Sequence, residues 1–118
     1  DGGGNDSSLV LRMDIDHSRI TLTGDIESGV QALLASWGGR LDADILKVPH
    51  HGAGGLKREF LNTVTPGIAV VSCGKNNRYG HPHSETLSVL KAAGCTVYRT
   101  DKNGAVVVAL PSLQVESR

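Results

Sequence analysis

Two hydrophobic periods alternate along the chain. Residues 9–13 and 19–23 are short β-prone runs, and the turn-forming stretch 14–18 between them predicts an antiparallel hairpin with His17 as a solvated residue at its tip. From residue 30 to 37 the apolar positions recur at helical spacing, and the glycine pair at 38–39 is expected to end that helix. The change of period predicts a strand-to-helix junction at Gly24 and Asp25.

The same alternation continues to the end of the chain. The apolar pattern predicts a strand at 44–49, a helix at 56–64, a nearly continuous buried strand at 68–72, a helix capped by Ser84 and stopped by Gly94, a last pair of strands at 96–100 and 105–110, and a loose tail from about residue 111. Strands alternating with helices are typical of a layered α/β domain. We expect residues 1–118 to form one such domain.

The composition restricts the kinds of partner that the chain can bind, but it does not identify one. The 12 Lys and Arg balance the 12 Asp and Glu, so any preference for phosphate must come from local charge. No apolar run approaches the roughly 20 residues that span a bilayer, so we expect the chain by itself to be soluble and not to insert into a membrane. Cys73 and Cys95 fall at opposite ends of their predicted strands, which predicts two small core thiols and no disulfide.

Three loops that each follow a predicted strand hold most of the unusual polar residues. They cover residues 23–25, 50–52 and 78–83. Loops at the carboxyl ends of strands converge in open α/β sheets, and a carboxylate with imidazoles is a donor set suited to a divalent transition metal. Each loop alone has a plainer interpretation, because Asp25 is suited to cap a helix and a His pair or His-Pro-His is common in solvated loops. Their shared placement favours one site.

The order of these motifs resembles the ComEC family over nearly the whole chain. The matching segments are SLVL at 8–11, LTGDIE at 22–27, ADILKVPHHG at 43–52, NNRYGHPH at 76–83 and VYRTD at 97–101. The resemblance implies the C-terminal half of a metallo-β-lactamase-type αββα sandwich, with a mixed sheet and flanking helices. It also implies that Asp25 bridges two divalent ions, zinc or manganese, and that His50 ligates one of them, with His51 as the alternative. The His-x-His-x-Asp-His motif that supplies most ligands in that superfamily is absent from this chain and would lie upstream of residue 1.

The resemblance further implies a metal-dependent phosphodiesterase or nuclease acting on DNA, in single-stranded form, during natural competence. We expect His81 and His83 to act in catalysis, and the isolated chain to be inactive. Expected phosphate and base contacts are Lys57, Arg58, Lys75, Arg78 and Tyr79. The implied partners are the upstream half of the domain and the membrane channel of a parent protein, which places the domain outside the cytoplasm. Two alternatives stay open: hydrolysis of another phosphodiester, and a non-catalytic interaction module that has lost its metal.

Overall fold

The computed structural model describes residues 8–37 and 41–117, and its centre is a five-stranded sheet. The strands lie in the order β1-β2-β3-β4-β5, and a separate two-stranded sheet pairs β6 with β7. The elements in chain order are β1 (Leu11–Ile15), β2 (Ser18–Leu22), α1 (Ser28–Ala35), β3 (Ile45–Lys47), a 3-10 turn (Pro49–Gly52), α2 (Arg58–Val64), β4 (Ile68–Val71), α3 (Ser84–Ala92), β5 (Thr96–Arg99), α4 (Thr100–Asn103), β6 (Val106–Val108) and β7 (Val115–Ser117).

The predicted hairpin is confirmed, with a tighter turn than expected. β1 and β2 pair antiparallel, with Ile15 opposite Ser18, so only Asp16 and His17 remain in the turn. Both turn residues have positive φ, 48° and 65°, which is the geometry of a two-residue turn that matches the twist of its strands. His17 is exposed at the tip, as the sequence predicted.

From β2 onward the main sheet is parallel, and each strand pairs with the next strand along the chain. α1, α2 and α3 connect these strands and contribute Leu34, Phe60 and Leu90 to a single hydrophobic core. The sheet contributes Leu46 and Ala69, which are paired in register and fully buried. Parallel strands have their carboxyl ends at one edge, so the segments that follow β2, β3 and β4 meet there.

The opposite face of the sheet is only partly covered. Leu11, Met13 and Ile15 of β1 are 44%, 36% and 39% exposed. The expectation of a continuously buried strand at 68–72 is therefore wrong: in β4, Ala69 is buried but its neighbour Ile68 is partly exposed. The physical reason is that the core helices pack on one face, so alternate residues of the strand turn away from them.

The helix ends also differ in detail from the prediction. α1 ends at Ala35, with the Ser36 backbone N–H donating to the Leu33 carbonyl at 3.2 Å, and the glycine pair expected to stop it lies outside the described residues. At α3 the N-cap is His83, not Ser84. Gly94, at φ 84°, follows the C-cap of α3 as predicted.

The C-terminal region differs from three expectations. β5 joins the main sheet, whereas β6 pairs antiparallel with β7, so the predicted pairing of 96–100 with 105–110 is wrong. One helical turn, α4, separates the two strands where a tight turn was expected. The tail expected to be loose from residue 111 instead returns along β6, through a turn closed by hydrogen bonds between Ala109 and both Leu113 and Gln114.

The described residues therefore form an α/β fold with a mixed sheet and flanking helices, as predicted. The finer assignment to one half of an αββα sandwich, and the single domain over 1–118, stay predictions. Within 8–37 and 41–117, none of the helices has the length and apolar character needed to cross a membrane. Both cysteines are free thiols, as predicted.

Candidate functional site

An open cavity of about 460 Å³ lies where the segments after β2, β3 and β4 converge. Its walls come from all three loops that the sequence singled out. The lining residues are Asp25, His50, His51, Cys73, Gly74, Asn77, Tyr79 and His81. The predicted convergence of these loops at one edge of the sheet is thus observed.

Asp25 faces this cavity because the backbone before it turns sharply. Gly24 has φ 55°, and a Cβ at that position would lie 3.0 Å from the Ser8 Cβ. The Ser8 hydroxyl accepts a hydrogen bond from the Asp25 backbone N–H at 3.2 Å. The N-cap of α1 is Glu27, so the plainer interpretation of Asp25 as a helix cap is wrong. Its carboxylate remains available to the cavity.

The His-His-Gly turn is the most strained backbone of the site. His50, His51 and Gly52 have φ of 53°, 55° and 82° in succession, and the left-handed region is unusual for residues with a side chain. Backbone hydrogen bonds hold the turn in place: His50 N–H donates to the Gly24 carbonyl at 2.9 Å, and His83 N–H donates to the Gly52 carbonyl at 2.7 Å. The turn therefore ties the three loops together.

His51 is oriented toward Asp25. Its Nδ1 lies 2.8 Å from the Ser72 carbonyl oxygen, which only accepts, so this nitrogen carries a proton. Nε2 then faces the Asp25 Oδ1 at 3.5 Å. A ring fixed through one nitrogen by a carbonyl, with the other aimed at the site, is the arrangement that proteins use for metal-ligating histidines. This contact supports the alternative ligand, His51, beside the leading expectation of His50.

His81 is the centre of an imidazole cluster. Its ring meets His50 edge-on with centroids 5.9 Å apart, and it stacks with His51 at 6.4 Å and an interplanar angle of 11°. Burial lowers the pKa of His81, and the positive charges that His50, His51 and His83 can carry lower it further. Neutral imidazole is therefore favoured at the position where the sequence predicted a proton-transfer group.

The loop that carries His81 is held by Asn77, a residue whose role the sequence pattern did not indicate. Its side-chain amide donates to the carbonyls of Gly74 and His81 at 2.8 and 2.6 Å, and its oxygen accepts from the His81 N–H at 2.9 Å. An Asn that closes a loop onto its own backbone is a known turn device, so its place in a glycine-bearing loop was an available signal.

Thr100 fixes the start of the same loop, and the sequence pattern did not indicate this role either. The Thr100 hydroxyl accepts from the Cys73 N–H and donates to the Cys73 carbonyl, both at 2.9 Å.

Arg99 holds the neighbouring Asp101 through two hydrogen bonds of 3.1 and 2.8 Å, which keeps the pKa of that carboxyl below its usual value. Cys73 packs against the hydrophobic core, as predicted, and it also lines the cavity. Burial raises the pKa of its thiol, as does a hydrogen bond to Asp101.

Lys47, at the end of β3, is a further residue whose role the sequence pattern did not indicate. Burial lowers the pKa of its ammonium group, while the nearby charges of Asp25 and Cys73 act in the opposite direction. Its ammonium nitrogen lies 3.4 Å from the Val48 carbonyl oxygen. A positive charge is therefore close to the carboxylate of the site, although its position in an apolar strand gave little sign of it.

Five of the ten predicted site residues do not line the cavity. His83 caps α3, with its Nδ1 accepting from the Glu85 N–H at 3.4 Å. The other four are exposed or partly exposed. Lys57 and Arg58 start α2, while Lys75 and Arg78 lie on the loop beside the cavity.

The donor atoms present fit part of a metal site. Asp25 and His51 are close enough to share an ion after a small movement, but within 8–37 and 41–117 no group of three His, Cys, Asp or Glu residues is arranged to hold one. Catalytic zinc usually takes three protein ligands. The described residues thus supply a pair of candidate ligands that needs completion.

Comparison with known proteins identifies the class as competence proteins. No protein-family model matches the chain. The chain is 42% identical over 103 residues to ComE operon protein 3 of Bacillus subtilis, and 35% identical over 108 residues to competence protein ComA of Neisseria gonorrhoeae. It is 31% identical over 105 residues to recombination protein 2 of Haemophilus influenzae.

These matches cover 86%, 90% and 88% of this chain but only 13%, 16% and 13% of the respective relatives. The chain is therefore homologous to a segment of the proteins of the ComEC family. The predicted resemblance is confirmed.

Proposed function

We propose that this chain is part of a metal-dependent phosphodiesterase that acts on DNA during competence. The observation that carries the proposal is the approach of Asp25 and His51 to 3.5 Å in the cavity formed by three strand-end loops. The names of the relatives support the biological setting, since two of them are competence or competence-operon proteins.

In this proposal Asp25 and His51 supply two ligands to a divalent metal site, with His50 as the other candidate ligand. The full site would hold two ions, zinc or manganese, with its remaining ligands coming from the upstream half of the same domain. Such ions neutralise charge on a phosphodiester and provide a hydroxide nucleophile near neutral pH. The orientation of His51 by the Ser72 carbonyl supports its part in this set.

His81 handles protons in the proposed reaction. Its lowered pKa favours the neutral ring, which can accept a proton at one nitrogen while donating a hydrogen bond from the other. His83 contributes through position, because it caps α3 and its N–H holds the Gly52 carbonyl. The basic residues beside the cavity, Lys75 and Arg78, are suited to hold the phosphate backbone.

The partly exposed sheet face supports the proposed upstream partner. Leu11 and Met13 of β1 lie on the same face of the sheet as their register partners Leu22 and Ile20. Covering such a face removes apolar surface from water, at roughly 25 cal/mol for each Å². The relatives are several times longer than the chain, so they have room for the upstream half and for a membrane channel that would place the domain outside the cytoplasm.

The test uses the complete domain, including the upstream region, and measures bound metal and DNA cleavage together. Asp25→Asn and His51→Gln are expected to lose metal and activity in parallel. His81→Asn is expected to keep its metal and to lose about 10²–10⁴-fold in turnover, as removal of a general acid or base typically does. His17→Gln, at the exposed hairpin tip, is the matched control and should leave both quantities unchanged.

Three other results would each change part of the proposal. Loss of metal in His81→Asn would make that residue a ligand. Full metal loading without cleavage of DNA, but with cleavage of a small phosphodiester, would change the substrate class. A complete domain that binds no divalent metal would leave the non-catalytic interaction module. The 118-residue chain alone should bind metal weakly and cleave poorly.

A further inference from the structure

One peptide group connects the end of β4 with the candidate site. It joins Ser72 to Cys73, just after the strand ends at Val71. Its carbonyl oxygen accepts the hydrogen bond from the His51 Nδ1 at 2.8 Å, and its N–H donates to the Thr100 hydroxyl at 2.9 Å. In a trans peptide the N–H and the carbonyl point in opposite directions within one plane. Thr100 and His51 therefore hold the two sides of the same rigid group.

Thr100 binds the main chain on both sides of Cys73. Its hydroxyl also donates to the Cys73 carbonyl at 2.9 Å, so one side-chain oxygen makes two hydrogen bonds to one residue. The regular pairing of β4 with β5 ends with Val71 opposite Arg99, one residue before Thr100. The Thr100 side chain thus continues the cross-strand hydrogen bonding beyond the last backbone pair. The peptide group that His51 contacts is held in one orientation as a result.

The turn that carries Thr100 is closed by its own contacts. Arg99 binds the Asp101 carboxylate through two nitrogens at 3.1 and 2.8 Å, and these side chains are 22% and 13% exposed. The Arg99 N–H donates to the Asn103 side-chain oxygen at 2.8 Å. The Gly104 N–H donates to the Thr100 carbonyl at 3.2 Å. Two-point contacts between charged groups are stronger and more directional than single neutral hydrogen bonds, so this turn presents the hydroxyl from a fixed position.

The direction of the His51 ring depends on this peptide group. The side chain is 49% exposed, and the ring stacks on His81 with centroids 6.4 Å apart. Stacking is the same whichever ring nitrogen carries the proton, whereas the hydrogen bond to the Ser72 carbonyl requires a proton on Nδ1. That hydrogen bond leaves Nε2 as the unprotonated nitrogen, which faces the Asp25 Oδ1 at 3.5 Å.

We propose that Thr100 is a positioning residue for His51, the proposed metal ligand, and that it acts through the peptide group between Ser72 and Cys73. A hydrogen bond to the N–H polarises the peptide and makes its carbonyl a stronger acceptor, so Thr100 both orients and strengthens the bond to His51. The inference rests on the proposed phosphodiesterase function, in which His51 binds metal. It extends the site to the turn after β5, outside the cavity lining.

The first experiment observes the His51 ring in the 118-residue chain without metal. Nitrogen NMR at about pH 8, where histidine is mostly neutral, distinguishes the two neutral forms of the ring. The original chain should show the form that is protonated at Nδ1. Thr100→Val replaces the hydroxyl by a methyl group of similar size and should shift the ring signals toward a mixture with the Nε2-protonated form. Thr100→Ser keeps the hydroxyl and should give the original signals.

Thr21→Val is the matched control for the loss of a hydroxyl. Thr21 is buried in β2 and donates to the Leu41 carbonyl at 3.0 Å, and neither residue lines the cavity. The control removes the same kind of hydrogen bond and should also lower the free energy of unfolding. It should leave the His51 signals unchanged, whereas a merely structural role of Thr100 would give the same result for both variants.

The second experiment titrates the complete domain, including the upstream region, with Zn²⁺. Thr100→Val should raise the Kd for Zn²⁺ by about 10-fold, the lower end of the effect seen for groups that support a metal-ligating histidine. Thr100→Ser and Thr21→Val should both bind Zn²⁺ as tightly as the original domain.

Two results would overturn the inference. One is a His51 ring protonated at Nε2 in the original chain, which is measured without any variant having to fold. The other is an unchanged ring spectrum in folded Thr100→Val.

Failure of the proposed function has a different signature. A complete domain that binds no Zn²⁺ and cleaves no DNA, while Thr100→Val still shifts the His51 signals, would keep the positioning role and remove the catalytic one. A domain that binds Zn²⁺ and cleaves DNA, with the His51 signals and the Kd of Thr100→Val unchanged, would keep the catalytic proposal and remove the positioning role.

Discussion

The two histidine-bearing loops of the site are held in different ways. The His-His-Gly turn is fixed by backbone hydrogen bonds to Gly24 and from His83, and it ends at the buried Gly52. The loop from Gly74 to His81 is exposed over most of its length, and the side chain of Asn77 closes it onto itself. The first loop is therefore held by main-chain hydrogen bonds, while the conformation of the second depends on the Asn77 side chain. Substitutions in the first loop should mainly lower the free energy of unfolding, and substitutions in the second should mainly change the geometry of the site.

The largest effect is expected from Gly52→Ala. A Cβ there would lie 2.7 Å from the Pro82 Cβ and 3.0 Å from the Val71 Cγ1, at a φ of 82° that disfavours a side chain. Strain and overlap together should lower the free energy of unfolding by about 2–5 kcal/mol. Denaturant unfolding measures this loss. Gly29→Ala in α1 is the matched control, because a Cβ there meets nothing within 4 Å, and it should be neutral or stabilising.

A smaller effect on stability is expected from Asn77→Ala. The three hydrogen bonds it removes lie in a partly exposed loop, so the free energy of unfolding should fall by roughly 1–2 kcal/mol. The larger consequence should be for His81, whose ring resonances in an NMR spectrum should move. Asn77→Asp keeps the acceptor for the His81 N–H and loses the two donated bonds, so its shift should be intermediate. Unchanged His81 resonances in Asn77→Ala would show that the loop is held by other contacts.

The smallest effect concerns the pH dependence of stability. The folded-state pKa of His81 lies below the ordinary value of 6.5, so the unfolded chain binds this proton first as the pH falls. The contribution of His81 is fully present above pH 6.5 and is lost as the pH falls from there through the lower folded-state pKa. His81→Gln should flatten the curve below about pH 6.5. Identical curves for the original chain and His81→Gln would contradict the prediction.

The sequence predicted the main sheet well because hydrophobic periodicity reports directly on burial. The hairpin, the three core helices and the strands from β1 to β5 all lie near their predicted positions. The sequence did not predict the features that depend on tertiary contacts. The partial exposure of Ile68 depends on which face the helices cover, and the pairing of β6 with β7 depends on a turn at 109–114 that carries no strong periodic signal.

For the site, the sequence predicted the convergence of the loops but not all of their contents. Asp25, His50, His51, Tyr79 and His81 line one cavity because strand ends of a parallel sheet meet at one edge. Asn77 and Thr100 were missed because their roles depend on hydrogen bonds that spacing does not reveal. Lys57 and Arg58 were grouped with the site because they follow the His-His-Gly turn in the sequence, but they start α2 and do not line the cavity.

The neighbour-by-neighbour order of the main sheet has a consequence for how the chain acquires this cavity. Every strand from β1 to β5 pairs with the next one in sequence, so each pairing closes only the segment between them. Short closures cost less chain entropy and favour rapid folding. During synthesis from the N-terminus, β2, β3 and β4 can pair in the order in which they emerge. The last cavity-lining residue, His81, follows directly, and the later Thr100 then fixes the start of its loop through Cys73.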